Sequence, residues 1–212
     1  MTAVAPALTI AVPRGALLGG TLDRLDSLGL DTAEVRSNDR KLLFADVGIV
    51  TMRPSDVATY VEAGAADVGI TGKDVLTEQS EREVYELLDL GFGECRMILA
   101  TVDGPDPSAE ALRRLGVMRV ATKYPKTAAA YFERTGRQAE IVEVKGSVEL
   151  APLTGLVEAI VDLTATGTTL RENDLVVREE LFVSTARLIA NPVAHKLKAP
   201  AIDAMLEGLR AP

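Results

Sequence analysis

Apolar and polar positions succeed one another in blocks along this chain, and the period of the blocks changes as they go. Leu8-Thr9-Ile10-Ala11-Val12 is a short apolar run of strand type. Pro13-Arg14-Gly15-Ala16 turns it into a segment whose apolar residues recur at Leu17, Leu18, Leu22, Leu25 and Leu28, the period of a helix. The same succession of strand, polar turn and helix returns twice. Residues 47–52 lead to Pro54, with Val57, Tyr60 and Val61 on one helix face, and residues 67–70 lead to Thr71-Gly72-Lys73-Asp74. Residues 84–90 and 96–102 read as strands. Gly104-Pro105-Asp106-Pro107 reads as a loop, with Ser108 as the expected N-cap of a helix that carries Glu110, Leu112 and Leu115.

Further on, residues 119–122 form a strand, and Lys123-Tyr124-Pro125 opens a helix to about Thr135. Residues 140–144 form another strand, and Gly146-Ser147-Val148-Glu149 is a turn before a short helix. Residues 159–161 are an apolar run that ends in the carboxylate of Asp162, apolar on both faces as in a buried strand of parallel type. Residues 176–189 read as one long strand or two adjoining ones, Asn191-Pro192 ends them, and a final helix runs to about Leu209. This alternation predicts an α/β fold with mostly parallel sheets. The segments near Cys95 and Ser184 are candidate crossovers. They divide the chain into a discontinuous lobe I, residues 1–95 with 184–212, and a lobe II, residues 96–183, expected to bind the main ligand.

Composition narrows the picture by exclusion. The 212 residues suffice for one large domain or two small ones with real cores. A net charge of −8 and the lack of a basic tract argue against a nucleic-acid surface. No apolar run approaches the ~20 residues of a membrane span. Residues 1–6 carry neither a basic nor a long apolar region of the kind a secretory leader needs. A lone cysteine, Cys95, excludes an internal disulfide, fits a reducing cytoplasm and is expected in core packing. The single histidine, His195, lies beside Lys196 and Lys198 and reads as a solvated surface residue, so nucleophile–histidine mechanisms have little support. There is no zinc spacing and no P-loop.

What remains is a set of polar strand ends. The richest is Asp162-Leu163-Thr164-Ala165-Thr166-Gly167-Thr168-Thr169-Leu170. A turn that opens a helix aims backbone N–H groups at the positive end of the helix dipole, and the three threonine hydroxyls of residues 165–169 add donors, which suits a phosphate monoester. Asp162, at the carboxyl end of its strand, is placed to accept hydrogen bonds from sugar hydroxyls. Together they suggest a ribose 5-phosphate, although a Thr/Gly helix cap needs no ligand at all. Pro13-Arg14-Gly15, Thr71-Gly72-Lys73-Asp74 and Thr122-Lys123-Tyr124-Pro125 are polar in the same way. A helix terminus contributes only ~0.3–1 kcal/mol to an exposed anion, so polyphosphate binding calls for Arg, Lys or Mg²⁺ as well.

Several motifs in order resemble the ATP phosphoribosyltransferase family, the first enzyme of histidine biosynthesis. They are Arg40-Lys41-Leu42, Arg53-Pro54-Ser55-Asp56-Val57 with residues 60–74, Ala121-Thr122-Lys123-Tyr124, Gly146-Ser147-Val148-Glu149-Leu150-Ala151-Pro152 with Gly155-Leu156, and the Asp162-to-Leu170 stretch. The length resembles the short form of the family. The resemblance implies a two-lobed, type II periplasmic-binding-protein-like α/β fold with a central cleft. It implies a cytoplasmic, Mg²⁺-dependent glycosyl transfer from 5-phosphoribosyl 1-diphosphate (PRPP) to N1 of ATP. It also implies a homodimer within a hetero-oligomer, completed by a regulatory subunit related to histidyl-tRNA synthetase. Ala165, Thr166, Gly167, Thr168 and Thr169 would bind the 5-phosphate, and Asp162 with Glu149 the ribose. Arg14 and Arg40 would be catalytic at the diphosphate, with Arg53 and Lys73 on the ATP or diphosphate side. The family usually shows a basic residue, Gly and Arg after the first strand. Here Arg14-Gly15-Ala16 lacks the second basic side chain, so either Arg14 takes its place or Arg40 acts alone. Two other readings stay open: a type I phosphoribosyltransferase, whose loop usually has two adjacent acids where this chain has Leu163 after Asp162, and a cytoplasmic solute-binding module without catalysis.

Overall fold

The computed structural model describes residues 7–210. Residues 1–6, on which the expectation about a leader rests, lie outside the described residues, as do 211 and 212. The chain divides into two compact units, Met1–Gly93 with Thr185–Pro212, and Glu94–Ser184.

In the first unit the chain runs through β1 (Ile10–Pro13), α1 (Leu18–Ser27), α2 (Ala33–Ser37), β2 (Leu43–Phe44), β3 (Ile49–Met52), α3 (Pro54–Glu62), β4 (Val68–Gly72), α4 (Lys73–Glu78) and β5 (Tyr85–Asp89). The second unit holds β6 (Cys95–Val102), α5 (Pro107–Leu115), β7 (Met118–Thr122), α6 (Pro125–Thr135), β8 (Ala139–Glu143), α7 (Leu150–Leu153), β9 (Ala159–Thr164), α8 (Thr168–Glu172) and β10 (Leu175–Ser184). The chain then returns to the first unit as β11 (Ala186–Ala190), α9 (Pro192–Leu197) and α10 (Ala199–Arg210). The run at 176–189 is thus two adjoining strands, one in each unit.

The sheet of the first unit has the order β2-β3-β1-β4-β11-β5, and that of the second β10-β6-β9-β7-β8. Both are mixed rather than mostly parallel. β1 is parallel to β3 and β4, and β7 to β8 and β9, but β2, β6, β10 and β11 run against their neighbours. Apolar content marked β6 and β11 as buried without fixing their direction, because a strand covered on both faces is apolar in either sense.

Helices cover both faces of each sheet. In the first unit Leu22 and Leu25 of α1 and Ile202 and Met205 of α10 join one core layer, while Val57, Ala58 and Val61 of α3 join the other. α3 lies so close to β4 that a Cβ on Gly69 would sit 2.6 Å from Val57 and 2.8 Å from Val61. In the second unit α5 and α6 supply Ala111, Ala128, Tyr131 and Phe132 to one layer, and α7 and α8 supply Ala151 and Leu170 to the other.

Local chemistry sets the helix starts. Pro54 and Pro125 stand in the first turns of α3 and α6, where a missing N–H costs nothing. α5 is capped by Asp106, not Ser108. The Asp106 carboxylate accepts from the backbone N–H groups of Ser108 and Ala109, because Pro107 already occupies the first helical position. The last helical stretch is broken in two, with Asn191 capping α9 through the N–H groups of Val193 and Ala194. Among the described residues no helix is long and apolar enough to cross a membrane.

Candidate active site

β9 delivers the site of the second unit. Alternation puts Ile160, Asp162 and Thr164 on one face of the strand, the face covered by α7 and α8. Ile160 is buried in that layer, and Asp162 follows where the layer opens into a pocket of about 210 Å³ lined by Glu149 and residues 162–170. The pocket therefore joins Asp162 and Glu149 to Ala165, Thr166, Gly167, Thr168 and Thr169, seven residues that the sequence had associated.

Asp162 is 8% exposed. Its Oδ1 accepts the N–H of Leu163 at 2.9 Å, and its Oδ2 lies 3.7 Å from Nζ of Lys123, at the end of the parallel neighbour β7. Burial pushes the carboxyl up from its ordinary value. The Lys123 charge and the Leu163 N–H draw it back without cancelling that rise, and the charge of Glu149 adds to it. A dehydrated carboxylate with free lone pairs facing a pocket is a strong acceptor for hydroxyl groups.

The turn after β9 is held from within. Thr164 Oγ1 accepts the N–H of Gly167 at 3.0 Å, and Gly167 sits at φ +71, the left-handed region that a residue with a Cβ rarely adopts. The hydroxyls of Thr166 and Thr168 lie 3.0 Å apart. Arg171 reaches back from α8, giving Nη1 to the Thr166 carbonyl at 2.9 Å and Nη2 to Thr168 Oγ1 at 3.0 Å. α8 has only five residues, so its dipole adds less than a full helix would, and the donors of this turn are mainly individual N–H and hydroxyl groups.

In the first unit three of the expected cations stand at the carboxyl ends of adjacent parallel strands: Arg14 after β1, Arg53 after β3 and Lys73 after β4. Their surroundings differ. Each nitrogen of the Arg14 guanidinium holds a group of the protein, through three of its five N–H donors. Nε donates to Thr51 Oγ1 at 3.0 Å, Nη2 to the Lys41 carbonyl at 2.8 Å, and Nη1 to the Asp39 carbonyl. These two carbonyls flank Arg40, whose own side chain is exposed and has no partner among the described residues. Lys73 is tied to Glu86 at 2.6 Å, and Glu86 with Asp89 also holds Arg187. Arg53 is exposed at the N-cap of α3, and no ion pair with Asp56 forms. Asp56 instead accepts the Ser55 hydroxyl.

Thr164 lines the pocket and Lys123 and Arg171 stand beside it, but none of the three was assigned a binding role from sequence. Arg171 had a signal, since it stands three residues after Thr168 and so shares its helix face. Lys123 lies in one of the polar strand ends, but its pairing with Asp162 depends on β7 being the neighbour of β9. Two other expectations are corrected. His195 is half-buried and packs edge-on against Tyr85, with ring centroids 5.5 Å apart, rather than standing in solvent. Cys95 is half-buried at the first residue of β6, outside the core layers.

With this geometry in place, comparison with known proteins is specific. The family model HisG, described as ATP phosphoribosyltransferase, matches residues 53–211. A protein of Rubrobacter xylanophilus named ATP phosphoribosyltransferase is 54% identical over 202 residues, covering 94% of this chain and 93% of its own. One of Ruminiclostridium cellulolyticum with the same name is 44% identical over 208 residues, with 96% and 95% covered. Among solved structures, the ATP phosphoribosyl transferase (HisG:HisZ) complex from Thermotoga maritima matches with a TM-score of 0.78 and 34% identity over 95% of this chain and 96% of that one. The periplasmic aliphatic sulphonate binding protein SsuA of Escherichia coli matches at TM-score 0.61 and 13% identity over 94% of this chain and 70% of that one, a likeness of fold alone. The two-unit α/β architecture is thus the expected one of periplasmic-binding-protein type.

Proposed function

We propose, for a chain that belongs to the ATP phosphoribosyltransferase family, a division of labour between its units in the family's reaction. The chain is a pentosyltransferase that joins ATP and PRPP to give N1-(5-phosphoribosyl)-ATP and pyrophosphate, the first step of histidine biosynthesis. The second unit holds PRPP. The 5-phosphate is bound by the turn from Ala165 to Thr169, and the ribose hydroxyls by Asp162 with Glu149. The observation that carries this reading is the buried Asp162 carboxylate, which shares one pocket with a turn of N–H and hydroxyl donors.

The chemistry asks little of a general base. N1 of adenine brings its own lone pair to C1 of the ribose, and the C1–O bond breaks with its electron pair leaving on pyrophosphate. The barrier lies in the charge that develops on the leaving group. Arg40, exposed and unpartnered, is the side chain assigned to that charge, since a guanidinium binds phosphate oxygens in pairs. Arg14 braces the carbonyls of Asp39 and Lys41, the residues on either side of Arg40, and acts by positioning it, which answers the lack of a basic residue at Ala16. Arg53 and Lys73 serve the ATP side, Lys73 by exchanging Glu86 for a phosphate.

A divalent cation, Mg²⁺ in this reading, neutralises the leaving pyrophosphate when bound. In this reading the cation is carried mainly on the substrate phosphates and water, as Mg²⁺ usually is. The partner is a HisZ-like regulatory subunit, and the assembly is a hetero-oligomer built on a homodimer, in the cytoplasm.

The test is direct. The purified chain is incubated with ATP, PRPP and Mg²⁺, with and without the partner subunit, and phosphoribosyl-ATP and pyrophosphate are measured. Equal amounts of both are expected. Product from a free base but not from ATP indicates a type I enzyme, and ligand closure without product indicates a binding module.

A further inference from the structure

We propose that Lys123 is a positioning residue for the reaction, holding the buried Asp162 carboxylate ionised and aimed into the pocket through their contact at 3.7 Å. The inference rests on the assignment of Asp162 to the ribose hydroxyls and deepens it. Parallel pairing puts Thr122 beside Val161, so the next residue along each strand, Lys123 and Asp162, are neighbours past the end of β7. Ala121 and Ile160 lie in the core layer on that face, which carries the two side chains to the same end of the layer.

The charges around Asp162 are few. Glu149, at the start of α7, is the carboxylate that acts on it most, and its sign is unfavourable. β6 presents Ile98 opposite Asp162, and α8 presents Leu170, neither of them charged. The strand's own contribution is the Leu163 N–H. Lys123 is the positive side chain that most offsets burial and the Glu149 charge among the described residues. The Lys123 side chain is 41% exposed, and 3.7 Å is longer than a tight hydrogen bond, so it leaves the Oδ2 lone pairs available. A protonated Asp162 would keep one oxygen as a donor and lose its strength as an acceptor for two adjacent hydroxyls.

The experiment is a pH series of PRPP affinity, measured by calorimetry with Mg²⁺ on the full chain, for wild type, Lys123→Met and Lys123→Arg. The acidic limb of affinity moves to higher pH in Lys123→Met, several-fold weaker binding appears on that limb, the plateau at higher pH stays within about threefold, and Lys123→Arg restores the limb. Weakening by the same factor at every pH, with the limb unmoved, overturns the proposal and makes Lys123 a direct phosphate contact. No change at any pH overturns it as well. Carboxyl ¹³C titration of Asp162 in the ligand-free chain, assigned through Asp162→Asn, separates this inference from the assignment beneath it. If Asp162→Asn binds PRPP as wild type does, the ribose assignment falls. Lys123 then stands or falls on whether Lys123→Met raises the Asp162 titration point.

Discussion

The Arg14 corner of the first unit and the Asp162 pocket of the second each place a charge at the carboxyl end of an inner strand, but only the first satisfies it. Arg14 spends its guanidinium on one hydroxyl and two backbone carbonyls. Asp162 has one N–H and a lysine that stands off at 3.7 Å, and burial raises its titration point. A charge whose three nitrogens each hold a group of the protein fixes a segment of chain. A charge that is dehydrated with acceptors left over costs stability until a ligand completes it, and that cost is characteristic of binding and catalytic sites.

Asp162→Asn is the strongest way to break the comparison. The amide presents one acceptor oxygen where the carboxylate has two, and charge-assisted hydrogen bonds are each worth roughly 1.5–3 kcal/mol. PRPP affinity falls about 10- to 100-fold, while the thermal midpoint at neutral pH stays level or rises, because a buried charge has been removed. Titration calorimetry and thermal unfolding read the two effects separately. A variant that loses affinity and unfolds early shows that Asp162 is structural, and the contrast with Arg14 disappears.

Arg14→Ala comes next and has the opposite signature. Three hydrogen bonds are lost near solvent, where water replaces part of them, so the cost is about 1–2 kcal/mol and the midpoint drops by roughly 2–8 °C. Turnover falls as well, because the segment that carries Arg40 is released. Arg40→Ala is expected to lose the turnover without the stability, and equal unfolding of the two variants would end the assignment of Arg14 as a brace.

Gly167→Ala sharpens the picture of the turn. The left-handed conformation at φ +71 costs an alanine about 1 kcal/mol. Its Cβ would stand 3.1 Å from Arg171 Nη1, the far end of a flexible side chain that can yield. The midpoint falls by a few degrees and the KM for PRPP rises several-fold, while the KM for ATP is unchanged. Steady-state kinetics in both substrates checks this.

Much of this was legible in the sequence, and what was not has physical causes. Asp162, Gly167 and the threonines were readable because strand, turn and helix start are contiguous. Pro54 and Pro125 marked two helix starts because proline is tolerated at few helical positions. The Asp106 cap was hidden by Pro107, which leaves Ser108 looking like the first polar residue of α5. The directions of β6 and β11 carried no signal, since burial on both faces erases alternation. The Lys123–Asp162 pair and the grip of Arg14 on residues 39 and 41 depend on which segments become neighbours. A charge pattern read along one segment cannot tell a free cation such as Arg40 from a committed one such as Arg14.

Two carboxylates of the second unit provide the finest version of the comparison. Asp106 is partly buried, which pushes its carboxyl up, but the Ser108 hydroxyl, the N–H groups of Ala109 and Ser108, and the Arg178 charge outweigh that and leave it below its ordinary value of 3.8. Asp162, with too few partners, lies above that same value. The signs of their pH dependence are therefore opposed. Asp106 contributes stability that is complete above pH 3.8 and is lost as pH falls through its lower folded value. Asp162 imposes a cost that is complete above its raised folded value and is relieved as pH falls through that value toward 3.8. Asp106→Ala removes an N-cap and lowers stability at neutral pH by about 1 kcal/mol. Its deficit against wild type persists down to pH 3.8 and closes only below it, with PRPP affinity at neutral pH unchanged. The advantage of Asp162→Asn over wild type closes earlier on acidification, while the Asp106→Ala deficit is still whole. Denaturant unfolding of the three proteins across this range reads both differences. If the Asp162→Asn difference closes only below the pH at which the Asp106→Ala difference does, Asp162 is as well satisfied as Asp106 and is not held in reserve for a ligand.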